Sequence, residues 1–301
     1  MFSHSFALSL CYHCTLQLVE LAGKIGDITA PNDGIHLAIT APCGKFGGGF
    51  TNANAGIKLR AFKTMVAFGD SYTDGGRHDG GPLAPAVLVG NSTRAGGRIT
   101  NGPVWIEHVA NRSHTLLMDY AISGALTNTS LWPSRAGSAD FVGEVQTFLS
   151  QGNDLDPDET LYLGFFGIND WSSIDVLRLP PTSATNFLVL DDYGRGTENA
   201  AGDAFKQAVF NGVSALSEEG LNVAFVDFAP LWTAILGDDP GFAAFGYTSD
   251  GSCFPTAGQL TTDGECEDSR HTFYWLHGHP SNETHKIMAD YVDEVLTLCR
   301  A

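Results

Sequence analysis

The two residues best suited to covalent chemistry are a serine in the first third of the chain and a histidine near its end. Ser71 stands in the string Phe-Gly-Asp-Ser-Tyr-Thr-Asp, directly after a short apolar run. A serine exposed on such a turn is able to act as a nucleophile, and it suits equally well a capping role for the next segment. His279 stands in the string Gly-His-Pro-Ser and is a candidate general base for the Ser71 proton.

Two further residues suit the stabilisation of a negatively charged oxygen. Gly124, in the string Tyr-Ala-Ile-Ser-Gly-Ala, lets a backbone N–H approach a substrate closely. Asn169, in the string Gly-Phe-Phe-Gly-Ile-Asn-Asp-Trp, is able to direct its side-chain NH2 at the same oxygen. Taken singly, each residue also fits an ordinary turn at the end of a strand. Together they predict an oxyanion site.

These strings lie at the borders of elements that alternate along the chain. Short apolar runs predict buried strands at 64–68, 116–121, 161–166 and 222–228. Apolar residues three or four positions apart predict helices at 103–110, 139–149 and 201–216, and a last helix beginning near Ser281. This alternation implies a parallel sheet covered on both faces, with the site at the carboxyl ends of its strands.

The four strings, in this order and at these places, resemble the GDSL esterase superfamily, also called SGNH hydrolases, over about residues 62–298. With the segment Asn-Gly-Pro-Val-Trp at 101–105, they are most similar to fungal family 16 carbohydrate esterases, which resemble acetylesterases that act on hemicellulose sugars. The resemblance implies a three-layer α/β/α, flavodoxin-like fold with a mainly parallel sheet. It also implies the site roles: Ser71 as nucleophile, His279 as base, and Gly124, Asn169 and the Ser71 backbone N–H as oxyanion donors.

One position departs from the family pattern. The family usually has an aspartate three residues before the catalytic histidine, and this chain has Leu276 there. A Ser-His dyad is the alternative, with His279 oriented by a backbone carbonyl or by an acid from elsewhere, such as Asp263 or Asp268. Loss of the acid from a serine hydrolase triad costs up to about four orders of magnitude in turnover.

Composition excludes some classes of partner. Sixteen Lys and Arg against 34 Asp and Glu give a formal net charge of -18, which disfavours binding to nucleic acid. No apolar run reaches the length of a membrane-spanning helix. We therefore expect no nucleic-acid partner and no membrane span. The resemblance implies a small-molecule or oligosaccharide ester as substrate, and we expect a monomer. The acyl-enzyme scheme needs no cofactor and no metal.

Residues 1–60 differ from the rest of the chain. They carry four basic and three acidic residues, so the other 241 carry a net charge of -19. They lack apolar periodicity and include a glycine-rich stretch at 44–49, which would be costly to order. We expect 1–60 to be a poorly ordered N-terminal extension or leader and 61–301 to be the esterase domain.

The cysteines and sequons indicate an oxidising compartment. Cys253 and Cys266 bracket an insert rich in Gly, Pro, Thr and Asp, which favours a loop-closing disulfide. Four Asn-x-Ser/Thr sequons, at positions 91, 111, 128 and 282, agree with secretion. We therefore predict a secreted protein, although no basic residue precedes the apolar stretch at 6–18 as in a clear signal peptide.

Two tryptophans stand beside the proposed site residues. Trp171 follows Asn169 closely and Trp275 precedes His279, so both are predicted to contact substrate, where indole rings stack on sugars. The function predicted is a carboxylic ester hydrolase, specifically an acetylesterase on plant cell-wall carbohydrate. Two alternatives stay open: a non-catalytic carbohydrate-binding relative with a decayed triad, and a GDSL lipase that prefers longer acyl chains.

Overall fold

A computed structural model describes residues 34–47, 53–170, 184–191, 195 and 198–300. Nine strands and five α-helices lie in this part of the chain and form two sheets with helical layers around the larger one. In the same ranges, no helix has the length and apolar character needed to cross a membrane.

The larger sheet has six strands. They are β1 (Asn54–Ala55), β2 (Thr64–Gly69), β3 (Leu116–Asp119), β4 (Thr160–Phe166), β5 (Asn186–Asp191) and β6 (Asn222–Asp227). Their order across the sheet is β1-β6-β5-β4-β2-β3, with β1 antiparallel to β6 and the other five strands parallel. If the five parallel strands are renumbered 1 to 5 in chain order, so that β2 is strand 1, their order across the sheet is 2-1-3-4-5, as in flavodoxin-like folds. Their order changes direction between β2 and β4, where folds of this kind bind ligands beyond the carboxyl ends.

Helices cover both faces of this sheet. They are α1 (Trp105–Ser113), α2 (Phe141–Ser150), α3 (Ala200–Glu218), α4 (Ala229–Leu236) and α5 (Asn282–Leu298). Side chains alternate along β2, so Met65 and Ala67 join the core formed with α1, α4 and α5, whereas Val66 and Phe68 join the core formed with α2. The α3 side chains pack beside the α2 layer, and Tyr162 contacts both groups. The three-layer α/β/α fold with a mainly parallel sheet is confirmed.

A small second sheet places the segment that contains His279. Its strands are β7 (Ser249–Phe254), β8 (Thr272–Leu276) and β9 (His279–Pro280), with β8 parallel to β7 and antiparallel to β9. The turn between β8 and β9 consists of His277 and Gly278, and the φ of +69° at Gly278 favours glycine there. The chain then enters α5, where the Ser281 hydroxyl accepts a hydrogen bond from the Thr284 N–H as an N-cap.

The described part of residues 1–60 packs on the domain, which differs from the poor order expected for it. Ile35 and Ile57 are each 1% exposed within the main core, and β1 extends the sheet. A disulfide joins Cys43 to Cys299 at the end of α5. The segment is ordered by isolated apolar residues and one long-range disulfide, and neither produces the periodic pattern from which order is predicted. Residues 1–33 lie outside the described residues, and the expectation for them stays a prediction.

Candidate active site

The structure brings Ser71 and His279 within hydrogen-bond distance. Ser71 Oγ lies 3.1 Å from His279 Nε2, although 208 positions separate the two residues in the chain. Ser71 lies two residues after Gly69, the last residue of β2. A Cβ atom at Gly69 would come within 2.9 Å of the Phe165 carbonyl oxygen on β4. Glycine therefore lets the two neighbouring strands end close together with the serine on their shared rim.

A backbone carbonyl orients the imidazole of His279. Its Nδ1 lies 3.1 Å from the His277 carbonyl oxygen, so Nδ1 carries the hydrogen and Nε2 is left to accept the Ser71 proton. Leu276 is fully buried, and it occupies the position where the family usually has its acid. Asp263 instead accepts a hydrogen bond from Thr261, and Asp268 contacts His271 and Thr248. The sequence left two kinds of group to orient His279, a backbone carbonyl or a distant acid. Among the described residues, the group that contacts Nδ1 is the backbone carbonyl of His277.

The surroundings of His279 favour its neutral form. Burial, together with the smaller effect of the positive charges of Arg94 and Arg195, lowers the pKa of His279 to about 4, against the opposing hydrogen bond to His277. The imidazole is therefore neutral at pH 7, which is the protonation state that a general base requires.

The residues expected to hold an oxyanion also lie together. Asn169 Nδ2 donates to the Ala125 carbonyl oxygen at 2.9 Å and reaches Asp70 Oδ2 at 3.4 Å, so it contacts the chain neighbours of both Gly124 and Ser71. Gly124 has a φ of +85°, a conformation that favours glycine. Among the described residues, none accepts a hydrogen bond from the backbone N–H of Ser71 or of Gly124. These two donors are available to a substrate oxygen.

Buried carboxylates connect the loops that carry these groups. Asp74 Oδ2 accepts hydrogen bonds from the Ser123 N–H at 2.8 Å and the Ser123 hydroxyl at 2.6 Å, which joins the Ser71 turn to the Gly124 loop. Asp70 Oδ1 accepts from the Tyr72 N–H at 3.0 Å, and burial raises the pKa of Asp70 to about 7. Both aspartates thus stabilise the turn around the serine rather than reach a substrate.

Glu144 on α2 performs a similar bridging role. Its two carboxylate oxygens accept from the Gly69 N–H at 2.9 Å and the Ile122 N–H at 3.1 Å. Burial raises the pKa of Glu144 well above its usual range. Glu144 was not among the predicted site residues, and its signal in the sequence is one glutamate inside the otherwise apolar stripe of a predicted helix.

The segment 101–105 connects the serine turn to the helix that follows His279. The Trp105 indole N–H donates to Thr73 Oγ1 at 3.2 Å, and its backbone N–H donates to His285 Nδ1 at 3.3 Å. Asn101 Oδ1 accepts from the backbone N–H of Asn282 at 2.8 Å, the first residue of α5. This segment therefore fixes the position of the serine turn relative to α5.

Tyr72 forms a second connection between nucleophile and base. Its hydroxyl donates to the Gly278 carbonyl oxygen at 2.7 Å, in the turn immediately before His279. Arg195 Nη1 donates to the same carbonyl at 3.2 Å and to the Tyr72 hydroxyl at 3.1 Å. No local pattern in the sequence distinguishes Arg195, because its role depends on a contact with residues more than 80 positions away.

The two tryptophan predictions have different outcomes. Trp275 is 1% exposed, donates its indole N–H to the Thr93 carbonyl oxygen and packs edge-on against Phe254. The prediction that Trp275 contacts substrate is wrong, since its side chain packs in the small core beneath β8 and closeness in sequence to His279 does not bring it into the site. Trp171 lies outside the described residues.

The second disulfide closes the insert after β7. Cys253 and Cys266 are bonded, with their Cα atoms 5.0 Å apart, so the loop 254–265 is fixed at both ends. Within the described ranges, no three His, Cys, Asp or Glu side chains are grouped as metal ligands.

Comparison with known protein families agrees with this geometry. Residues 65–190 match the family of GDSL-like lipases/acylhydrolases, a range that includes Ser71, Gly124 and Asn169 and ends before His279. No curated protein matches the chain. The family match and the α/β/α fold support a place in the GDSL/SGNH superfamily and an esterase- or lipase-type hydrolase activity.

Proposed function

We propose that this protein is a serine acetylesterase that removes acetyl groups from plant cell-wall carbohydrate. The observation that carries the proposal is the 3.1 Å contact between Ser71 Oγ and a neutral His279 Nε2, beside two unused backbone N–H donors. A nucleophile, a base and an oxyanion site are the three parts that acyl transfer requires.

The proposed reaction follows from these positions. Ser71 Oγ attacks the ester carbonyl while His279 Nε2 takes its proton. The developing oxyanion accepts hydrogen bonds from the N–H groups of Ser71 and Gly124 and from Asn169. The imidazolium then protonates the leaving alcohol, and water hydrolyses the acyl-enzyme by the same steps. Because the His277 carbonyl, rather than a carboxylate, supports the imidazolium among the described residues, we expect a lower turnover than for a complete triad.

The exposure of Ser71 and the segment 101–105 support an acetyl ester of carbohydrate as the substrate. Ser71 is only 7% exposed, and an acetyl group needs the least room beside it. The segment 101–105, which resembles that of family 16 carbohydrate esterases, connects the serine turn to α5.

Two disulfides suit an oxidising compartment, and the sequon residues Asn91 and Asn111 are exposed. These features support secretion.

The test is hydrolysis of 4-nitrophenyl acetate and octanoate by the purified protein. Ser71→Ala and His279→Ala are compared with Ser150→Ala, which removes the hydroxyl of an exposed serine on α2. We expect preference for acetate, activity at background for the first two variants and full activity for the third. Acetate release from acetylated xylan then tests the carbohydrate substrate.

A covalent label provides an independent readout. Diisopropyl fluorophosphate forms a bond between its phosphorus and Ser71 Oγ, breaks the P–F bond and releases HF. Mass spectrometry is expected to show one label on the wild type and none on Ser71→Ala. Preference for octanoate would favour a lipase instead, and absence of both cleavage and label would favour the non-catalytic carbohydrate-binding alternative.

A further inference from the structure

Arg94 is a half-buried cation with an unused donor. Its Nη2 donates to the Ala257 carbonyl oxygen at 3.0 Å, whereas Nη1 is buried and has no hydrogen-bond partner among the described residues. Arg98, four positions later, shows the contrasting arrangement: its guanidinium binds both carboxylate oxygens of Glu107, at 2.6 and 2.7 Å. A buried donor without a partner costs free energy, so the bare Nη1 of Arg94 points to a ligand.

A series of contacts connects the segment of Arg94 to the strands that carry the proposed base. The carbonyl of Thr93 accepts the indole N–H of Trp275 at 2.8 Å, and Trp275 precedes Leu276, the residue paired with His279 across β8 and β9. The positive charge of Arg94 is among the causes that lower the pKa of His279, in agreement with this placement.

The disulfide-closed loop 254–265 holds Arg94 in this position. Thr93 donates its N–H to the Leu260 carbonyl oxygen at 3.2 Å and its hydroxyl to the Gln259 carbonyl oxygen at 2.6 Å. The Thr262 N–H donates to the Asn91 carbonyl oxygen at 2.7 Å, next to an isolated antiparallel bridge between Ser92 and Thr261. The segment before Arg94 is therefore paired to the loop along its length.

The acidic group that acts on Arg94 does not form a hydrogen bond with it. Burial lowers the pKa of Arg94 and the Asp74 carboxylate opposes this change, but the two oxygens of Asp74 accept hydrogen bonds from Ser123, Gly76 and His78. A molecule with a formal net charge of -18 repels anionic substrates, so a local cation is needed wherever an anion is to bind.

The side of the site on which Arg94 lies determines which part of the substrate it meets. In the proposed reaction His279 protonates the leaving alcohol, so the alcohol departs beside His279, whereas the acyl oxygen faces Gly124 and Asn169. We propose that Arg94 binds, through Nη1, a carboxylate on the alcohol portion of the ester, and that the preferred substrates are acetyl esters of acidic sugars such as uronic acids. This inference rests on the proposed function.

The test compares two esters that differ in one charge on the alcohol side. They are 4-acetoxybenzoate, whose leaving phenol carries a carboxylate, and methyl 4-acetoxybenzoate, whose leaving phenol is neutral. The measured quantity is the ratio of kcat/KM for the anionic ester to that for the neutral ester. Any change in the basicity of His279 affects both esters and cancels in this ratio.

We expect the wild type to have the higher kcat/KM for the anionic ester, and Arg94→Gln to lower the ratio about tenfold, as loss of a charged hydrogen bond predicts. Arg94→Lys keeps the charge without the planar fork and is expected to give an intermediate ratio. Arg60→Gln is the matched control, because Arg60 is exposed and precedes β2 at the opposite end of the sheet.

Three results would overturn this inference. They are a higher kcat/KM of the wild type for the neutral ester, an equal loss of kcat/KM for both esters in Arg94→Gln, and a change of the ratio in Arg60→Gln equal to that in Arg94→Gln. The first needs no variant, so it applies even if Arg94→Gln fails to fold. Failure of the proposed function is distinct, since the wild type would then cleave neither ester. Acetate release from acetylated polygalacturonate and acetylated xylan extends the comparison to polymers.

Discussion

Leu276 and His279 face each other as a residue pair across the antiparallel strands β8 and β9. The leucine side chain is fully buried in a small core with Phe254 and Trp275, whereas the histidine Nδ1 contacts the carbonyl of His277 in the turn. The position that usually provides the acid therefore belongs to the apolar core, and the proposed base His279 is oriented by a backbone carbonyl. The absence of the acid therefore involves the packing of the whole β8–β9 hairpin as well as the presence of leucine where the family usually has aspartate.

Leu276→Asp is accordingly expected to harm stability without improving turnover. The change removes buried apolar volume and places a carboxylate among apolar side chains, which lowers the free energy of unfolding by about 3–5 kcal/mol. Urea denaturation and 4-nitrophenyl acetate hydrolysis measure the two effects. Leu276→Asn is the control of similar shape and no charge. A turnover gain of about tenfold with Asp but not with Asn would show that a carboxylate at this position supports His279.

The pH dependence of activity follows from the lowered pKa of His279. Its value of about 4 lies below the usual 6.5, so protonation of the base requires a more acidic solution than for an exposed histidine. We expect kcat/KM for 4-nitrophenyl acetate to be level near neutral pH and to fall with an apparent pKa near 4. Arg94→Gln removes one of the lowering charges, so the fall is expected to begin at higher pH.

Activity must be separated from acid unfolding in this experiment. Protein incubated at each acidic pH and returned to pH 7 is assayed for full recovery, and intrinsic fluorescence is recorded at the assay pH. An acid limb at pH 6.5 or above, with folding intact, would contradict the neutral, carbonyl-supported imidazole.

Gly124 and Gly137 provide a matched pair for testing the oxyanion site. Their φ angles are +85° and +87°, and a Cβ at either position meets nothing within 4 Å. Alanine at either position is thus expected to cost about 1–2 kcal/mol of backbone strain. Only Gly124→Ala displaces an N–H donor of the proposed site, so we expect kcat to fall at least tenfold for Gly124→Ala and to stay unchanged for Gly137→Ala. Equal effects on kcat would remove Gly124 from the oxyanion site.

The sequence predicted the parts of the fold that have local signals. The strands β2, β4 and β6 are apolar runs, and α5 begins at its predicted cap, so these elements are confirmed within a few residues. Helix α4 was missed because five of its eight residues are buried and it shows no amphipathic stripe. Strand β7 was missed because its string Ser-Asp-Gly-Ser-Cys-Phe has poor strand propensity and depends on pairing with β8.

The residues of the candidate site also divide into those with a local signal in the sequence and those without one. Ser71, Gly124 and Asn169 follow predicted parallel strands, so parallel-strand geometry was sufficient to bring them to one rim, whereas the position of His279 depends on the second sheet, which the sequence did not predict. The contacts of Glu144, Arg94 and Arg195 join segments far apart in the chain, and no spacing rule reveals them. The same holds for the Cys43–Cys299 disulfide, whose pairing cannot be read from six cysteines alone.

The disulfide between Cys43 and Cys299 is expected to dominate the oxidative stabilisation of the fold. It closes a loop of 256 positions, for which the chain-entropy relation gives about 5.5 kcal/mol, whereas the separation of 13 positions between Cys253 and Cys266 gives about 3 kcal/mol. The double alanine variant of the first pair should therefore lower the midpoint of urea unfolding further than that of the second. The reverse order would indicate that the N-terminal segment adds little to global stability.

The Cys253–Cys266 disulfide is expected to matter more for specificity than for catalysis. It fixes the loop whose Gln259 and Leu260 carbonyls accept hydrogen bonds from Thr93, the residue before Arg94. The double alanine variant of this pair should lower the ratio of kcat/KM for 4-acetoxybenzoate over its methyl ester about threefold to tenfold, because Arg94 is then less well fixed. The Cys43 and Cys299 double alanine variant is the control and should keep the wild-type ratio at a temperature where both variants are folded. An unchanged ratio without the Cys253–Cys266 bond would show that the loop holds Arg94 through its hydrogen bonds alone.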